Sequence, residues 1–270
     1  MADFPTCLLT PGRLQPHLPL FVFLPGMDGT GQLLRLQTEG LQAGFDVRCL
    51  ALSPTCLPSW EELAAETIEL IEQELQQWGD RPVYLCGESF GGCLALKIAL
   101  ALPRCLTRLI LINPASSFRH RQWLGWSSLV TSWLPSPLYR LSSVALLPWL
   151  AALERMATHD RQALLHAVQS VPQKTSIWRL SLLNDFAIEA AQLCQITLPT
   201  LLIAGDMDRL LPSVAEVQRL AQALPQAQVT YLPGSGHACL LEQGVNLYDI
   251  LQQQQFTPTS LSLEDAIAPR

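Results

Sequence analysis

The chain has 270 residues, enough to bury a full core as one large domain or two small ones. With 49% hydrophobic and only 15% charged residues it reads as globular and not disordered. Its net charge of −6 argues against a nucleic-acid partner, which would call for a basic face. The eight cysteines (Cys7, Cys49, Cys56, Cys86, Cys93, Cys105, Cys194 and Cys239) are scattered without a C-x-x-C pair. Several fall inside predicted strands or helices, so the expectation is reduced thiols in a cytosol-like compartment. No basic region followed by an apolar core opens the chain, so no signal peptide is expected.

In chain order, strands and helices alternate. Leu20–Leu24 (LFVFL) is a fully apolar strand ending at Pro25-Gly26, and a second strand runs near Val47–Leu52. Ser59–Trp78 is a helix: Ser59 is the N-cap, Glu62 stands three residues on, and Leu63, Ile68, Ile71 and Leu75 form an apolar face. Pro82–Gly87 is a buried strand, Phe90–Leu102 a helix and Leu109–Ile112 a further buried strand. After a long irregular region Thr200–Gly205 (TLLIAG) resumes the pattern, followed by a helix near Ser213–Leu224, a strand near Gln228–Leu232 and a last helix near Ala238–Gln253. Strands this apolar are covered on both faces, which predicts an α/β fold with a mostly parallel sheet flanked by helices.

The expected organisation is a core made of residues 1–113 and 199–253, a helical cap at 114–198 inserted after the strand ending near Ile112, and a loose tail at 254–270. The insertion holds five of the seven tryptophans, several prolines and no strand signal. A membrane span is disfavoured there, because Pro135, Pro137, Pro148 and Arg140 interrupt each window long enough to cross a bilayer.

Gly87-Glu88-Ser89-Phe90-Gly91 fits G-x-S-x-G between a buried strand and a helix, the context a nucleophile elbow requires. Small neighbours allow a tight turn, and the serine is expected in strained backbone at the sheet edge with its hydroxyl exposed, close to the positive end of the helix dipole. The plain alternative is a strand-to-helix turn with serine as N-cap, which predicts nothing elsewhere in the chain. Two further features disfavour it. The strand after the insertion runs into GDMDRLLP, offering Asp206 and Asp208, and the next runs into PGSGHACLL, offering His237. Serine, aspartate, histidine, each just beyond a strand, is the chain order of the α/β-hydrolase triad. Asp208 is preferred as the acid because it reaches farther past the strand end, while Asp206 is expected to bond its own loop's backbone. His17, His120, His159 and His166 lie in the leader or the insertion, where surface or cap roles suffice.

Acyl chemistry also needs donors aimed at the oxygen that becomes negative. The backbone N–H groups of Phe90, just after the serine, and of Met27, in the loop FLPGMDGTG, are the candidates. The rival reading of that loop as a phosphate cradle (Gly26, Gly29, Gly31) fails for want of a G-K-[ST] ending and an acidic ribose partner. No metal or organic cofactor is implied.

These pieces resemble the α/β-hydrolase superfamily over nearly the whole chain. More narrowly, FLPGMDGTG, LCGESFGGCLAL, LILINPASSF and GSGHACLLE are similar to the hydrolase domain of the phytyl ester synthase and diacylglycerol acyltransferase family of plastids and cyanobacteria. Pro25 and Glu88, where many superfamily members carry His, sharpen the likeness. The resemblance implies fatty acyl transfer to phytol or diacylglycerol, which in that family usually accompanies a second, acyltransferase-like domain. No histidine followed four residues later by aspartate, as that domain requires, is found here. The expectation is therefore a serine esterase or thioesterase using Ser89, His237 and Asp208 on a lipophilic acyl substrate, with acyl transfer on the same residues as the alternative. Carbon–carbon hydrolases and small-molecule lyases also use such a triad and are not separated by the motifs. A catalytically silent lipid-binding protein is the alternative from another class; such proteins usually lose a triad member, and all three are present. The expected location is cytoplasmic, or plastid stroma for a plant or algal source. Trp123, Trp126 and Trp133, with the nearby leucines, are expected to line an acyl tunnel or meet a lipid surface such as a membrane or lipid droplet, besides packing the cap.

Overall fold

The computed structural model describes residues 4–101, 104–120, 144–145 and 147–258. Seven strands form one sheet in the order β1-β3-β2-β4-β5-β6-β7: β1 Cys7–Leu9, β2 Leu20–Leu24, β3 Asp46–Ala51, β4 Val83–Glu88, β5 Leu106–Ile112, β6 Thr200–Gly205 and β7 Ala227–Leu232. β1 runs antiparallel to β3, and the other neighbours are parallel. The main helices are α1 Trp60–Trp78, α2 Phe90–Leu100, α3 Thr158–Ser170, α4 Gln173–Asp185, α5 Ser213–Ala223 and α6 Leu247–Gln253.

Burial on both faces follows from alternation along the strands. On β2, Leu20, Val22 and Leu24 point to the face covered by α1, α2 and α5, while Phe21 and Phe23 point to the face closed by Leu41, Phe45, Leu240, Leu247 and Leu251. All five β2 side chains are fully buried. Each such side chain contributes about 1.5–3 kcal/mol relative to leaving it in water, so the apolar runs dictate a two-sided sheet. Helix α1 starts as the sequence predicts: the Ser59 side chain accepts from Glu62 N–H while the Glu62 carboxylate accepts from Ser59 N–H.

Three expectations are corrected. β1, only three residues long and partly exposed, is a strand that the sequence pattern does not predict. The predicted last helix from Ala238 is two pieces, a 3₁₀ turn at Cys239–Leu241 and α6 from Leu247. The chain breaks at Gly244 (φ 86°), and α6 is restarted by the Asn246 carboxamide, which accepts from Tyr248 and Asp249 N–H. The tail is not loose from residue 254, because Phe256 is 2% exposed, packs on the β2 phenylalanine side of the core and lies beneath the Arg108 guanidinium. Residues 259–270 lie outside the described residues.

Between β5 and β6 the described residues are helical or irregular, with α3 and α4 the long elements. No helix among the described residues is long and apolar enough to cross a membrane.

The sheet order reverses between β2 and β4: from β2 the chain moves outward to β3, then returns past β2 to β4. The loops leaving these two strands therefore diverge at their carboxyl ends, the place where ligands of open α/β sheets bind. Packing there is very close. A Cβ on Gly91 would lie 2.1 Å from the Leu24 carbonyl oxygen, and one on Gly87 2.2 Å from that of Gly91. Gly91→Ala should accordingly destabilise the protein by about 1–3 kcal/mol, the range for overpacking a tight site. Urea denaturation reads this as a lower midpoint at unchanged slope, and a midpoint equal to the wild type would show that the β2–α2 contact yields freely.

Candidate active site

Ser89 stands at the junction of β4 and α2 with φ 54° and ψ −113°, a conformation strained for a side-chain-bearing residue. Backbone bonds hold it there: its N–H donates to Ile112 O at 3.0 Å, and its carbonyl accepts from Gly92 N–H at 2.9 Å and Ala115 N–H at 3.1 Å. The hydroxyl makes no capping bond to α2. It lies instead 2.8 Å from His237 Nε2. That geometry disfavours the plain N-cap reading.

His237 sits in the loop after β7, and its Nδ1 is 2.7 Å from Asp208 Oδ2. Asp208 Oδ1 accepts from the N–H groups of Leu210 and Leu211, and Oδ2 also accepts from the Ser213 hydroxyl. Asp206 points elsewhere, accepting from Gly234 N–H at 2.7 Å. The expected division of labour is thus corrected in one respect. Asp208 both meets the imidazole and ties its own loop, because a carboxylate with two oxygens and several lone pairs can do both, whereas Asp206 braces the histidine loop.

Sequence reasoning passed over Asn113 because it lacks a carboxylate. Its amide N–H₂ donates to the carbonyls of His237 (2.7 Å) and Gly236 (3.2 Å), and its Oδ1 accepts from Gly205 N–H at 2.8 Å. The signal was present as an asparagine at a strand end, since Asn tolerates the positive φ of 44° found there. Ser213 was equally unremarked.

The site is dry. Ser89 is 8% and His237 5% exposed, so the hydroxyl is not open at the sheet edge as expected. The segment between β5 and β6 packs over the histidine loop: Ala238 N–H donates to Leu150 O, and a Cβ on Gly236 would strike the backbone at Ala151 and Ala152. Burial alone would push the His237 pKa down, but the Asp208 carboxylate, with Glu88 also near, carries it above the usual 6.5. Asp208 is pushed up by burial and more than brought back by the imidazole and its hydrogen bonds, ending below the ordinary carboxylate value. Glu88 has less compensation. Burial drives it up to about 8, with His237 lowering and Asp28 raising it.

Gly26 backs onto Ser89, a Cβ there meeting the serine Cβ at 3.7 Å, so the Met27 loop borders the hydroxyl. Among the described residues, neither Met27 N–H nor Phe90 N–H meets an acceptor. Trp123, Trp126 and Trp133 lie outside the described residues. A hydroxyl, an imidazole and a carboxylate in line, beside unfilled backbone donors, can pass a proton from the serine while an oxyanion forms alongside.

Residues 51–244 match the family described as serine aminopeptidase, S33. The chain is 29% identical over 264 residues to phytyl ester synthase 1, chloroplastic, of Arabidopsis thaliana, covering 89% of this chain and 37% of that protein. It thus spans well under half of that relative's length. It is 34% identical over 238 residues to putative carbamate hydrolase RutD of Stutzerimonas stutzeri, covering 84% and 88% respectively. The fold is similar to that of MenH from S. aureus, with TM-score 0.75, 16% identity, and 94% and 100% of the two chains covered.

Two outcomes follow from this geometry. Asp208→Asn should lower turnover by on the order of 10⁴-fold, as loss of the correct imidazole tautomer does in other triads; Asp206→Asn should cost far less, and the reverse ranking in steady-state kinetics would reassign the acid. In the pH profile of kcat/KM, the acid limb should lie above the usual histidine value, because the neutral imidazole is the active form. Glu88 titrates at about 8 and is mostly uncharged below that pH, so Glu88→Gln should shift that limb only slightly, toward lower pH. A large downward shift would show that Glu88 is ionised beside the imidazole, and an upward shift would show that its charge does not support the imidazolium.

Proposed function

The chain belongs to the α/β-hydrolase family described as serine aminopeptidase, S33, and within that family we propose that it is a serine esterase or thioesterase acting on a lipophilic acyl group. The observation that carries the reading is the line Ser89 Oγ–His237–Asp208, with spacings of 2.8 and 2.7 Å.

In the proposed mechanism His237 Nε2 takes the Ser89 proton as Oγ attacks the acyl carbonyl carbon. Asp208 holds the tautomer with the proton on Nδ1 and stabilises the imidazolium. The carbonyl oxygen, now negative, is received by the N–H groups of Met27 and Phe90; one such donor is typically worth about 10²–10³ in rate. Collapse of the tetrahedral intermediate breaks the bond to the leaving oxygen or sulfur, which takes the proton from His237. Water then attacks the acyl-enzyme by the same steps in reverse order.

The second reading, transfer of the acyl group to an alcohol such as phytol or diacylglycerol, is favoured by the similarity to a phytyl ester synthase over 89% of this chain. It differs only in which nucleophile reaches the acyl-enzyme. The burial of Ser89 and His237 is compatible with acyl transfer as well as with hydrolysis. The proposed cap at 114–198 and its tryptophans supply the lipophilic part of either reading.

A fluorophosphonate probe should label wild-type protein at Ser89, and Ser89→Ala should lose both label and turnover while keeping its fold. Across p-nitrophenyl esters, kcat/KM should climb about threefold to fourfold per added carbon until the acyl site is full, since each buried methylene is worth roughly 0.8 kcal/mol. Substantial turnover by Ser89→Ala would overturn the nucleophile. Equal rates on acetyl and long-chain esters would overturn the lipophilic substrate, and product analysis with added phytol separates hydrolysis from transfer.

A further inference from the structure

Arg179 lies on α4, far in sequence from the Met27 loop, yet it is 1% exposed and its Nη1 donates to Met27 O at 2.6 Å. The loop is shaped to receive it. A Cβ on Gly29 would lie 2.5 Å from both terminal guanidinium nitrogens, so only glycine leaves the space, and its φ of +66° disfavours other residues as well. Asp28 follows Met27. Burial raises its pKa, while hydrogen bonds from Thr30 and the Arg179 charge oppose the rise.

The two peptide planes flanking the Met27 Cα are each held by a different partner. Gly26 O, in the plane that carries Met27 N–H, accepts from Gly29 N–H at 3.0 Å. Met27 O, in the following plane, accepts from Arg179. With both planes fixed, the direction of Met27 N–H is fixed. With the second released, the Met27 torsions can relax and the N–H can swing away from the reacting oxygen. Helix α4 is itself anchored independently, through Trp60 Nε1 donating to Leu182 O and the Thr175 hydroxyl donating to Pro54 O. The guanidinium is therefore presented from a rigid element.

We infer that Arg179 is a positioning residue, holding the Met27 N–H on the oxyanion. This rests on the proposed role of Met27 as an oxyanion donor and adds a residue outside the triad and its two amides. The planar guanidinium, which donates from Nη1 to Met27 O, suits the task better than a lysine, which offers a point charge on a flexible stem.

The test uses Arg179→Met and Arg179→Lys in the full chain, with active sites counted by fluorophosphonate labelling of Ser89, so that misfolded protein drops out of the rate. On p-nitrophenyl esters, kcat per labelled site should fall about 10-fold to 100-fold in Arg179→Met, part of what losing a whole oxyanion donor costs. KM should change by less than about twofold, since ground-state binding does not use the donor. Arg179→Lys should recover part of the loss. A purely structural arginine would lower the labelled fraction and the melting temperature while leaving kcat per site intact, and that result would overturn the inference. So would a rise in KM at constant kcat. If Arg179→Met does not fold, Arg179→Lys, which keeps the buried cation opposite Asp28, decides on the same criteria. Failure of wild-type Ser89 to label at all, with no ester turnover, would instead remove the serine-hydrolase reading and this inference with it.

Discussion

Asn113 stands where three loops meet, and its side chain is the contact on which the arrangement of the site depends. It terminates β5, the strand between the one that presents Ser89 and the one that leads to Asp208. Its N–H donates to Ile203 O, its Oδ1 accepts from Gly205 N–H at the end of β6, and its amide grips the carbonyls of Gly236 and His237. The residue is fully buried, so each of these groups would otherwise be an unpaired polar atom in a dry interior, at about 1–3 kcal/mol apiece. One carboxamide thus sets the distance between the strand ends and the histidine loop. A parallel sheet fixes strand spacing but not the loops beyond the strand ends. Those need cross-links of this kind.

Burial also governs the electrostatics. Glu88, Asp28 and Asp208 bring three carboxyls into a small volume, and the cations that answer them are the imidazolium form of His237 and Arg179. The groups are not equivalent. Asp208, with an imidazole, a hydroxyl and two backbone N–H groups, is kept ionised, whereas Glu88 is driven up to about 8. Asp208, charged beside the imidazole, supplies the negative potential that stabilises the imidazolium, while Glu88, mostly protonated near pH 7, adds little to it. Environments that push titratable groups apart in this way are the usual means by which one site holds distinct acid and base roles.

Much of this was legible in the sequence where the cause is local. Apolar runs of five or six residues must be buried on both faces, so the strands from β2 to β6 are readable, and the Ser59/Glu62 capping box is a four-residue pattern with a local geometry. Ser89, Asp208 and His237 could be placed because each follows a strand closely, and strand ends on one edge of a parallel sheet are neighbours whatever their separation in the chain. What escaped depends on partners far away. β1 is three residues long and held only by pairing with β3. The buried Arg48–Asp46–Arg81 ion cluster joins β3 to residues just before β4, and no single segment reveals it. The break at Gly244 arises because the chain must leave the histidine loop, where Glu242 accepts from Gly236 N–H, before a helix can begin. Asn113 was visible as a letter, but its value lies in three backbone groups on two other loops.

The segment between β5 and β6 is coupled to both the histidine loop and the Met27 loop by specific hydrogen bonds and not by apolar cover alone. On one side Arg155 Nε donates to Glu242 at 2.7 Å, Gln243 N–H donates to Arg155 O, and Glu242 in turn holds Gly236, next to the histidine. On the other, Arg179 holds Met27. Among the described residues, the Met27 loop from Pro25 to Gly31 has few bonds to define it, chiefly Gly29 N–H to Gly26 O, the Thr30–Asp28 pair and, from beyond β3, Leu52 N–H to Gly29 O. A loop with so little support of its own takes its shape from what packs on it. The serine is therefore set by the core strands and their glycines, whereas the histidine loop and the Met27 loop are set jointly with the inserted segment. Among the contacts that cross this boundary, Arg155 reaches the histidine loop through Glu242 and Arg179 reaches Met27, so sequence changes in the segment can reach both loops without touching Ser89, His237 or Asp208.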